Sequence, residues 1–481
     1  MGSVRVGVKC GQIAVFEASS SVSSAAGPST EIIRGGLRRT LLPRGLELLR
    51  AAGIQQGEVF ILVLDNNSTS VACMLAAVNM RCVCVLLGVS RIGLLQHVVK
   101  HTKVTTIVTV RGETGTLSVQ KQPGEDSPAW TQDPAIHSEG GVCMLTSGSV
   151  GEPKVAACSW EAMRLQGQST HEELFPEGPA RIICGTSISH AYSINAIFTL
   201  LTSPYDEQSE LCFVSDVKAL YDLIAVKHDK RTVLYGTPAT YTQLLRLPAK
   251  PLYVDVPYSA GTRLSLELFQ QTAQHSGLCV MQNYGSTETG DIAAWYLHGK
   301  RSPEESKHMI EAKETYVGTL WPGVRVQVEE STEEVLVWTP WQSMGYVVTG
   351  ELRLRNGAPH RTADRGREHL ASNGVTSLWL QGRIRPSIQL SLSGLILSMR
   401  PEQIEQVFLT HEDVTDVLAL MPVANPASTL RLRVVLRDGC TLNAKELNQW
   451  GAEELNLPPD SVEIELVGFL PCSPAGKLMY T

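Results

Sequence analysis

A hydroxyl- and glycine-rich loop carries the clearest chemistry in this sequence. It reads Met144-Leu-Thr-Ser-Gly-Ser-Val-Gly-Glu-Pro-Lys154 and follows an apolar run. Glycines bring backbone N–H groups close to an anion, hydroxyls donate to phosphate oxygens, and a lysine adds positive charge. The residues predicted to contact phosphate are Thr146, Ser147, Gly148, Ser149, Gly151 and Lys154. A nucleoside triphosphate is the expected ligand, although a solvated Ser/Gly loop between two strands would have the same composition.

The spacing of this loop differs from the P-loop of the common NTPases. That motif has four residues between its glycines and then Gly-Lys-Ser/Thr, whereas Gly151 is followed by Glu152, Pro153 and Lys154. The sequence therefore predicts a triphosphate site of another kind.

A second motif sets a carboxylate among small hydroxyl residues, in Asn283-Tyr-Gly-Ser-Thr-Glu-Thr-Gly290. Mg²⁺ takes oxygen ligands and commonly sits between one or two carboxylates and substrate phosphates. Glu288 is therefore a candidate magnesium ligand. A turn whose glutamate faces water is the alternative.

Three further segments add an acid and two bases. Asp364 closes His360-Arg-Thr-Ala-Asp364, and Arg383 lies in Gln381-Gly-Arg-Ile-Arg385; such a pair can hydrogen-bond ribose hydroxyls, although each residue alone is more often part of a surface ion pair. Lys477 ends Leu470-Pro-Cys-Ser-Pro-Ala-Gly-Lys477, close to the end of the chain, where a lysine is usually solvated.

Hydrophobic periodicity predicts the elements that position these segments. Helices and strands alternate in the first part of the chain: helix 41–52, strand 59–64, helix 70–79, strand 82–87, helix 92–101 and strand 105–110. This alternation predicts an α/β fold with parallel, doubly wound sheets, in which ligands bind at the carboxyl ends of the strands. The loop that ends at Lys154 is expected at such an edge.

The pattern changes twice further along the chain. Short strands and turns predict a β-rich segment over about 315–384, within a large N-terminal domain of residues 1–384. Beyond it, an αββα-like series predicts a small α+β domain over 385–481 that carries Lys477.

Composition narrows the class of protein. Of 481 residues, 43% are apolar and 19% charged, and the formal net charge of −7 argues against a nucleic-acid partner. No apolar run is long enough to span a bilayer. The cysteines lie mostly in apolar runs without a Cys-x-x-Cys pair, which predicts reduced thiols and a cytoplasmic location.

The order of these motifs resembles the adenylate-forming superfamily of acyl- and aryl-CoA ligases, peptide-synthetase adenylation domains and luciferases. The resemblance covers essentially the whole chain. It implies that residues 1–384 bind ATP and the acid, that about 315–384 form a distorted β-barrel-like segment, and that 385–481 form a mobile lid. It implies that Lys477, Glu288 and His190 are catalytic and that Glu288 holds Mg²⁺. It further implies that ATP is bound, outside the first loop, by Ser259, Ala260, Gly261, Asn283, Tyr284, Gly285, Ser286, Thr287, Asp364 and Arg383.

The same resemblance implies a two-step reaction. A carboxylate attacks the α-phosphate of ATP, pyrophosphate leaves, and a nucleophile then takes the acyl group. Lys477 would bridge the carboxylate and α-phosphate, and Arg385 would occupy the hinge between domains, where a charged, solvated residue suits a swivelling boundary. A catalytically reduced adenylate-binding module and a luciferase-like oxygenase are the alternatives of other classes.

The acid is expected to lack an α-amino group. Amino-acid-activating members place an Asp where this chain has Ala191, whereas His190 resembles the Phe-His motif of aryl- and acyl-CoA ligases. An ammonium buried without a partner would be costly. The pocket residues implied are Tyr192, Asn195, Gly236, Thr237, Ser259 and Asn283. They favour an aromatic or medium-size acid, and a buried core histidine is the alternative role for His190.

The acceptor is the least determined partner. CoA is the first expectation, but Ser391 replaces the lysine common in the Gln-x-Lys-x-x-Gly segment, and Ala363 replaces glycine in the ribose motif. Loss of the lysine removes positive charge from a surface that faces CoA in CoA ligases. A separate carrier protein with phosphopantetheine, or an amine as in an amide synthetase, remains open.

Overall fold

The structure is a computed structural model. It describes residues 14–17, 30–111, 115–121, 128–146, 153–295, 315–372, 374–392, 395–422, 427–437 and 439–470.

The α-helices of the described residues are α1 Leu37–Ala51, α2 Ser68–Asn79, α3 Leu95–Thr102, α4 Pro134–His137, α5 Trp160–Leu174, α6 Ala191–Thr202, α7 Val217–Ile224, α8 Pro238–Leu244, α9 Leu266–Ser276, α10 Pro401–Phe408 and α11 Ala444–Glu454. Several of these helices begin at capping residues that can be recognised in the sequence. Asn67 accepts from the Ser70 N–H at the start of α2, and Asp216 accepts from the Ala219 N–H at the start of α7. Such caps satisfy N–H groups that the first helical turn leaves unpaired.

The strands up to residue 294 are β1 Ala14–Glu17, β2 Thr30–Arg34, β3 Val59–Leu64, β4 Val83–Gly88, β5 Thr106–Arg111, β6 Thr116–Lys121, β7 Gly141–Leu145, β8 Val155–Ser159, β9 Ala180–Cys184, β10 Glu210–Val214, β11 Arg231–Gly236, β12 Val256–Ser259, β13 Met281–Ser286 and β14 Gly290–Ala294. The later strands are β15 Thr315–Leu320, β16 Arg325–Val328, β17 Glu334–Trp338, β18 Gly345–Val348, β19 Glu351–Leu354, β20 His360–Leu370, β21 Thr376–Arg383, β22 Ile388–Leu392, β23 Leu395–Met399, β24 Val414–Ala419, β25 Leu430–Leu436 and β26 Val462–Leu466.

Two large mixed sheets form the body of the protein. The first has the order β1-β6-β5-β3-β4-β7-β8-β18-β19, and the second has the order β16-β17-β20-β21-β15-β14-β13-β12-β11-β9-β10-β2. Parallel pairs occupy the middle of each sheet, β5-β3-β4-β7 in the first and β13-β12-β11-β9-β10 in the second. Antiparallel strands extend both sheets at their edges.

Helices α1, α2, α5 and α6 fill the space between the two sheets. One hydrophobic core joins Leu62 and Leu86 of the first sheet to Ile182 and Tyr235 of the second. Helices α3 and α4 cover the outer face of the first sheet, and α7, α8 and α9 cover the outer face of the second. Because both faces of each sheet are covered, their central strands are continuous apolar runs such as Val-Phe-Ile-Leu-Val-Leu in β3.

The predicted α/β class is confirmed, and the order of helices and strands agrees closely with the predicted alternation. The β-rich segment differs from the prediction in one respect. Among the described residues, β15, β16, β17, β20 and β21 extend the second sheet and β18 and β19 extend the first, so this segment does not close on itself.

The described residues that follow Arg383 form two smaller sheets. Strands β22 and β23 pair as a hairpin, and β24, β25 and β26 form a three-stranded sheet packed against α10 and α11. These elements share a hydrophobic core of their own. In the part of the chain that the structure describes, no helix has the length and apolarity needed to cross a membrane.

An ion cluster ties the amino ends of the strands of the second sheet together. Glu210, only 4% exposed, accepts from Arg34 Nε at 3.0 Å and from Lys230 Nζ at 2.7 Å. Arg181 Nε and His228 Nε2 lie 3.6 and 3.7 Å from its other oxygen. Burial would raise the pKa of Glu210, but Lys230 and Arg34 outweigh burial and lower it.

Replacing Glu210 by glutamine is expected to lower the free energy of unfolding by about 3 kcal/mol, because it leaves the buried guanidinium of Arg181 without its anion. A carboxylate whose pKa is lowered by folding stabilises the protein above the unfolded pKa, about 4.3, and that stabilisation is lost as pH falls through the folded pKa. In urea titrations, the difference in unfolding free energy between the wild type and Glu210→Gln should be largest at pH 7 and should shrink below about pH 4.

Glu207→Gln is the matched control. Glu207 pairs with Arg39 at 2.9 Å, but the two side chains are 48% and 70% exposed. An exposed pair contributes less than about 1 kcal/mol. Equal losses in the two variants would contradict the structural role given to the Glu210 cluster.

Candidate active site

The ends of the phosphate loop are held by neighbouring strands. Thr146 follows β7, Lys154 precedes β8, and the Thr146 N–H donates to the Lys154 carbonyl at 2.8 Å. His97 Nε2 lies 2.7 Å from the carbonyl oxygen of Pro153 and fixes the end of the loop from α3. The predicted phosphate contacts Ser147, Gly148, Ser149 and Gly151 lie outside the described residues.

Glu288 lies in the turn between β13 and β14. One carboxylate oxygen accepts from the Tyr346 hydroxyl at 2.9 Å, and the Glu288 N–H donates to Ser286 Oγ at 3.2 Å. The Glu288 carbonyl accepts from the Ser343 N–H at 2.8 Å. Because Tyr346 belongs to β18 of the first sheet and Glu288 to the second, the carboxylate lies where the two sheets meet.

Three basic side chains surround the Glu288–Tyr346 pair. Lys154 Nζ lies 5.2 Å from the centroid of the Tyr346 ring, and Arg355 Cζ lies 6.0 Å from it. Burial opposes ionisation of Glu288, yet charge interaction with His360 and the Tyr346 hydrogen bond hold the pKa of Glu288 below its usual value. Burial lowers the pKa of His360 to about 4, so at neutral pH the imidazole is uncharged and the carboxylate is ionised.

The residues around Glu288 suit a divalent cation bound together with phosphate. Among the described residues, no group of three or more His, Cys, Asp or Glu side chains could hold a metal ion without help. An ionised carboxylate beside the lysine of a phosphate loop matches the way proteins bind Mg²⁺, through one or two carboxylates and substrate phosphates. Glu288 is therefore the residue that would hold the metal.

The predicted ribose residues meet on adjacent strands. Asp364 of β20 is the register partner of Arg383 of β21, and Arg383 Nε lies 3.1 Å from Asp364 Oδ1. The Tyr284 hydroxyl donates to Asp364 Oδ2 at 2.6 Å, and Arg383 Nη1 donates to the Thr362 carbonyl at 2.5 Å. Three motifs far apart in sequence thus converge on one carboxylate.

Ala363 occupies the left-handed region with φ of 55°. This conformation costs an L-residue with a Cβ about 1–2 kcal/mol. The cost explains why the adenylate-forming family, which the sequence resembles, has glycine at this position. Both of its backbone groups are bonded, the N–H to Glu334 Oε1 at 2.9 Å and the carbonyl to the Ile384 N–H at 2.7 Å. The backbone is therefore held in place despite the strain.

Ala363→Gly is expected to raise the free energy of unfolding by about 0.5–1 kcal/mol, since relief of the left-handed strain exceeds the added entropy of the unfolded chain. Thermal or urea unfolding measures the change. Ala358→Gly, at an exposed position without positive φ, should instead be neutral or slightly destabilising. A loss of stability in Ala363→Gly would contradict the strain argument.

Tyr192 of the predicted acid pocket packs against a cluster of buried aromatic rings. The Tyr192 ring on α6 lies 5.0 Å from Tyr235 and 5.3 Å from Tyr258, centroid to centroid. Tyr258 in turn lies 6.5 Å from Trp321. The cluster lies beside the carboxyl ends of β11 and β12, which is the edge where ligands of parallel sheets bind.

Other predicted pocket and nucleotide residues have structural partners. Thr237 caps α8, accepting from the Thr240 N–H at 3.4 Å, and a Cβ on Gly236 would meet the Tyr241 ring at 3.2 Å. Ser259 is completely buried at the end of β12, Ala260 is nearly so, and Gly261 is exposed with φ of 98°. Gly285 and Ser286 end β13, Thr287 follows them in the turn beside Glu288, and His190 precedes α6 as its N-cap residue.

Asp291 is a buried carboxylate that the motifs did not indicate. Its oxygens accept from Asn283 Nδ2 at 2.6 Å, Gln166 Nε2 at 3.0 Å and Asn195 Nδ2 at 3.2 Å. Burial raises the pKa of Asp291 against the lowering effect of these hydrogen bonds. The carboxylate fixes the amides of Asn195, which is completely buried, and Asn283; an acid within the apolar run Gly290-Asp-Ile-Ala-Ala was the available signal.

Arg385 is buried, so the expectation of a solvated hinge residue is wrong. Its side chain is 3% exposed, its Nη2 donates to Glu405 Oε2 at 2.6 Å, and its Nε lies 3.5 Å from Glu402 Oε1. The Arg385 N–H also donates to Glu402 Oε1 at 3.0 Å, and its Nη1 donates to the Ala419 carbonyl at 3.3 Å. Arg385 is therefore anchored to α10, whereas the preceding Ile384 N–H donates to Ala363.

Lys477 and the rest of its motif from Pro471 onward lie outside the described residues. The hydroxyl and charged residues that sequence reasoning missed near the site are Tyr346, Ser343 and Arg355. They lie between residues 343 and 355 of the β-rich segment, a stretch in which the sequence carries no recognised motif.

The comparisons with known proteins agree with this geometry. The family model described as AMP-binding enzyme matches residues 47–356. No curated protein matches the chain by sequence. ATP-bound MatB from Rhodopseudomonas palustris is 18% identical, with a TM-score of 0.66 over 92% of this chain and 91% of that chain.

Two other solved structures are similar in fold. O-succinylbenzoate coenzyme A synthetase (MenE) from Bacillus subtilis, in complex with AMP, is 18% identical with a TM-score of 0.65 over 92% of this chain and 91% of that chain. The amide bond synthetase McbA from Marinactinospora thermotolerans is 20% identical with a TM-score of 0.63 over 92% of each chain. Since the family model covers well over half of the residues, the chain belongs to the AMP-binding enzymes, the adenylate-forming superfamily.

Proposed function

We propose that this protein activates a carboxylic acid with ATP, forming an acyl-adenylate and pyrophosphate, and then transfers the acyl group to the thiol of CoA. The observation that carries the proposal is the pairing of two sites. Glu288, Tyr346 and Lys154 form a polyphosphate side, and Tyr284, Asp364 and Arg383 form a ribose side. Arg355 links the two sides. Its Nη1 lies 2.7 Å from His360 Nδ1 on β20, the strand of Asp364. Its Nη2 donates to Ser343, whose N–H donates to the Glu288 carbonyl.

In the first step, a carboxylate oxygen attacks the α-phosphorus, and the bond to the bridging oxygen of the β-phosphate breaks. Two anions approach each other, so fixed donors and cations must neutralise the charge that builds on the phosphoryl oxygens. Lys154 and the phosphate loop bind the leaving pyrophosphate, Asp364 and Arg383 hold the ribose, and Lys477 bridges the carboxylate and the α-phosphate. Mg²⁺ held by Glu288 would supply further positive charge at the phosphates.

In the second step, the thiol attacks the acyl carbonyl and AMP leaves. The thiol proton is lost and the oxygen–carbon bond to AMP breaks, so the products are a thioester and AMP. The lid carrying Lys477 would turn about the Ile384–Arg385 bond between the steps, since Ile384 is bonded to the ribose motif and Arg385 to α10.

A non-amino acid of aryl or medium acyl size suits the proposed pocket. Ala191 offers no carboxylate to an α-ammonium, and the half-buried ring of Tyr192, packed on the buried Tyr235 and Tyr258, presents an aromatic surface. Asp291 is already bonded to three amides and is buried, so it supports the pocket instead of pairing with a cationic substrate.

An amine or carrier-protein acceptor is the second candidate, and Ser391 favours it. Ser391 is exposed on β22, where CoA ligases of the family commonly have a lysine. Without that cation, the surface facing the acceptor has less attraction for the phosphates of CoA.

One screen tests both candidates. Pyrophosphate release from ATP is measured across aryl, acyl and amino acids, with and without CoA, and products are analysed by mass spectrometry. An aryl or acyl acid that releases pyrophosphate and yields a CoA thioester supports the proposal. Pyrophosphate release without a thioester transfers support to an amine or carrier acceptor, and no release with any acid would refute adenylation.

A further inference from the structure

Arg355 is fixed beside the first residue of the ribose motif. Its Nη1 lies 2.7 Å from His360 Nδ1, its Nη2 donates to Ser343 Oγ at 3.1 Å, and its backbone N–H donates to the Met344 carbonyl at 2.7 Å. The guanidinium carbon lies 6.0 Å from the Tyr346 ring centroid. The planar group is thus oriented from several sides.

The contact with Arg355 determines where His360 carries its proton. A guanidinium has donors but no acceptor and keeps its charge in proteins. Nη1 must therefore donate, and Nδ1 of His360 must accept. A ring nitrogen that accepts is unprotonated, so His360 is the neutral tautomer with its proton on Nε2.

The surroundings of His360 indicate what this tautomer can do. The side chain is 9% exposed and interacts electrostatically with Glu288, Lys154 and Arg383. A neutral N–H among these groups donates a hydrogen bond without repelling the two cations. Partners behind a ligating residue commonly orient it in this way, and their loss costs about 10- to 100-fold in affinity or activity.

We propose that Arg355 is a positioning residue of the polyphosphate site, holding His360 as a neutral Nε2–H donor for the ATP phosphates bound beside Glu288. The part of the proposal that concerns phosphate rests on the proposed function. The tautomer itself rests only on the contact between Arg355 and His360.

The tautomer is measured directly in the ligand-free protein. Histidine labelled with ¹⁵N gives distinct ring-nitrogen shifts for the two tautomers and for the imidazolium, and His360→Gln assigns the signal. The wild type is expected to show the Nε2–H form at neutral pH, and Arg355→Met is expected to show a mixture. An Nδ1–H form or an imidazolium in the wild type would overturn the proposal.

Binding and kinetics test the consequence for ATP. Arg355→Met is expected to raise the Kd and KM for MgATP about 10-fold while changing kcat less than about 3-fold. Arg353→Met changes an exposed arginine on β19 and should have no effect. If Arg355→Met fails to fold, Arg355→Lys keeps the positive charge but lacks the planar fork, and it should show the same rise.

Rescue separates positioning from simple packing. His360→Gln keeps an oxygen that accepts from Arg355 and an N–H that donates onward, so it should stay within about 3-fold of the wild type, whereas His360→Phe should match Arg355→Met. The double variant with both His360→Phe and Arg355→Met should be no worse than either single change, since both remove one interaction. Equal losses in His360→Gln and His360→Phe, or additive losses, would contradict the proposal.

Failure of the proposed function is distinguishable from failure of this inference. If no acid supports pyrophosphate release, the adenylation proposal falls, while the ¹⁵N spectrum and MgATP calorimetry still decide the role of Arg355.

Discussion

Replacing Glu288 by glutamine is expected to lower kcat/KM for acid-dependent pyrophosphate release at least about 100-fold, a loss of about 2.7 kcal/mol of transition-state stabilisation. The variant keeps the size of the side chain, and its amide oxygen can still accept from the Tyr346 hydroxyl that donates to Glu288 at 2.9 Å. What disappears is the negative charge that would hold Mg²⁺ at the polyphosphate. The concentration of Mg²⁺ that gives a half-maximal rate should be higher for the variant than for the wild type.

The control for this change is Glu351→Gln, which removes one carboxylate from the exposed edge strand β19. It should leave both the rate and the Mg²⁺ requirement within about 2-fold, as surface charges usually contribute little. Thermal unfolding should show both variants folded. A Glu288→Gln enzyme with wild-type Mg²⁺ dependence would remove Glu288 from the metal site.

The central strands and their helices could be predicted because local sequence determines them. The buried run of β3 and the helix that follows at 68–79 agree with their predicted bounds within two residues. Residues immediately after a strand were correctly expected at the carboxyl end of a strand, and parallel strands place their carboxyl ends together. Thr146 after β7 and Glu288 after β13 are examples.

The partners of those residues could not be predicted, because they come from distant parts of the chain. Tyr346 donates to a glutamate 58 positions away, and Tyr284 donates to Asp364 at a separation of 80 positions. A tyrosine in a short strand gives no local sign of the carboxylate it will meet. Tyr346 lies on β18 and Asp364 on β20. Both strands are antiparallel additions to the sheets, and their pairing depends on the tertiary fold.

Arg385 shows why charge alone misleads about exposure. An arginine at a domain boundary suggests solvent, yet this side chain is 3% exposed because Glu402 and Glu405 on the next helix neutralise it. Both acids can be read from the sequence, but only the packing of α10 against β24 brings their carboxylates to the guanidinium of Arg385. The proposed lid rotation is therefore assigned to the bond between Ile384 and Arg385.

Lys477→Ala is expected to slow acyl-adenylate formation about 1,000-fold or more, since its proposed contact with the carboxylate and α-phosphate tightens chiefly in the transition state. The proposed ground-state contacts to ATP come from Lys154, Asp364 and Arg383, which this variant leaves in place. The Kd for MgATP should therefore change less than about 3-fold. Acid-dependent pyrophosphate exchange and calorimetry measure the two quantities.

The two half-reactions separate the role of Lys477 from a general effect on the lid. If Lys477 serves only the first step, the variant supplied with a synthetic acyl-adenylate should transfer the acyl group to its acceptor at close to the wild-type rate. Lys445→Ala removes an exposed lysine on α11 of the same small domain and should leave both steps unchanged. Equal losses in both half-reactions would indicate that Lys477 holds the lid together, and an unchanged exchange rate would remove it from catalysis.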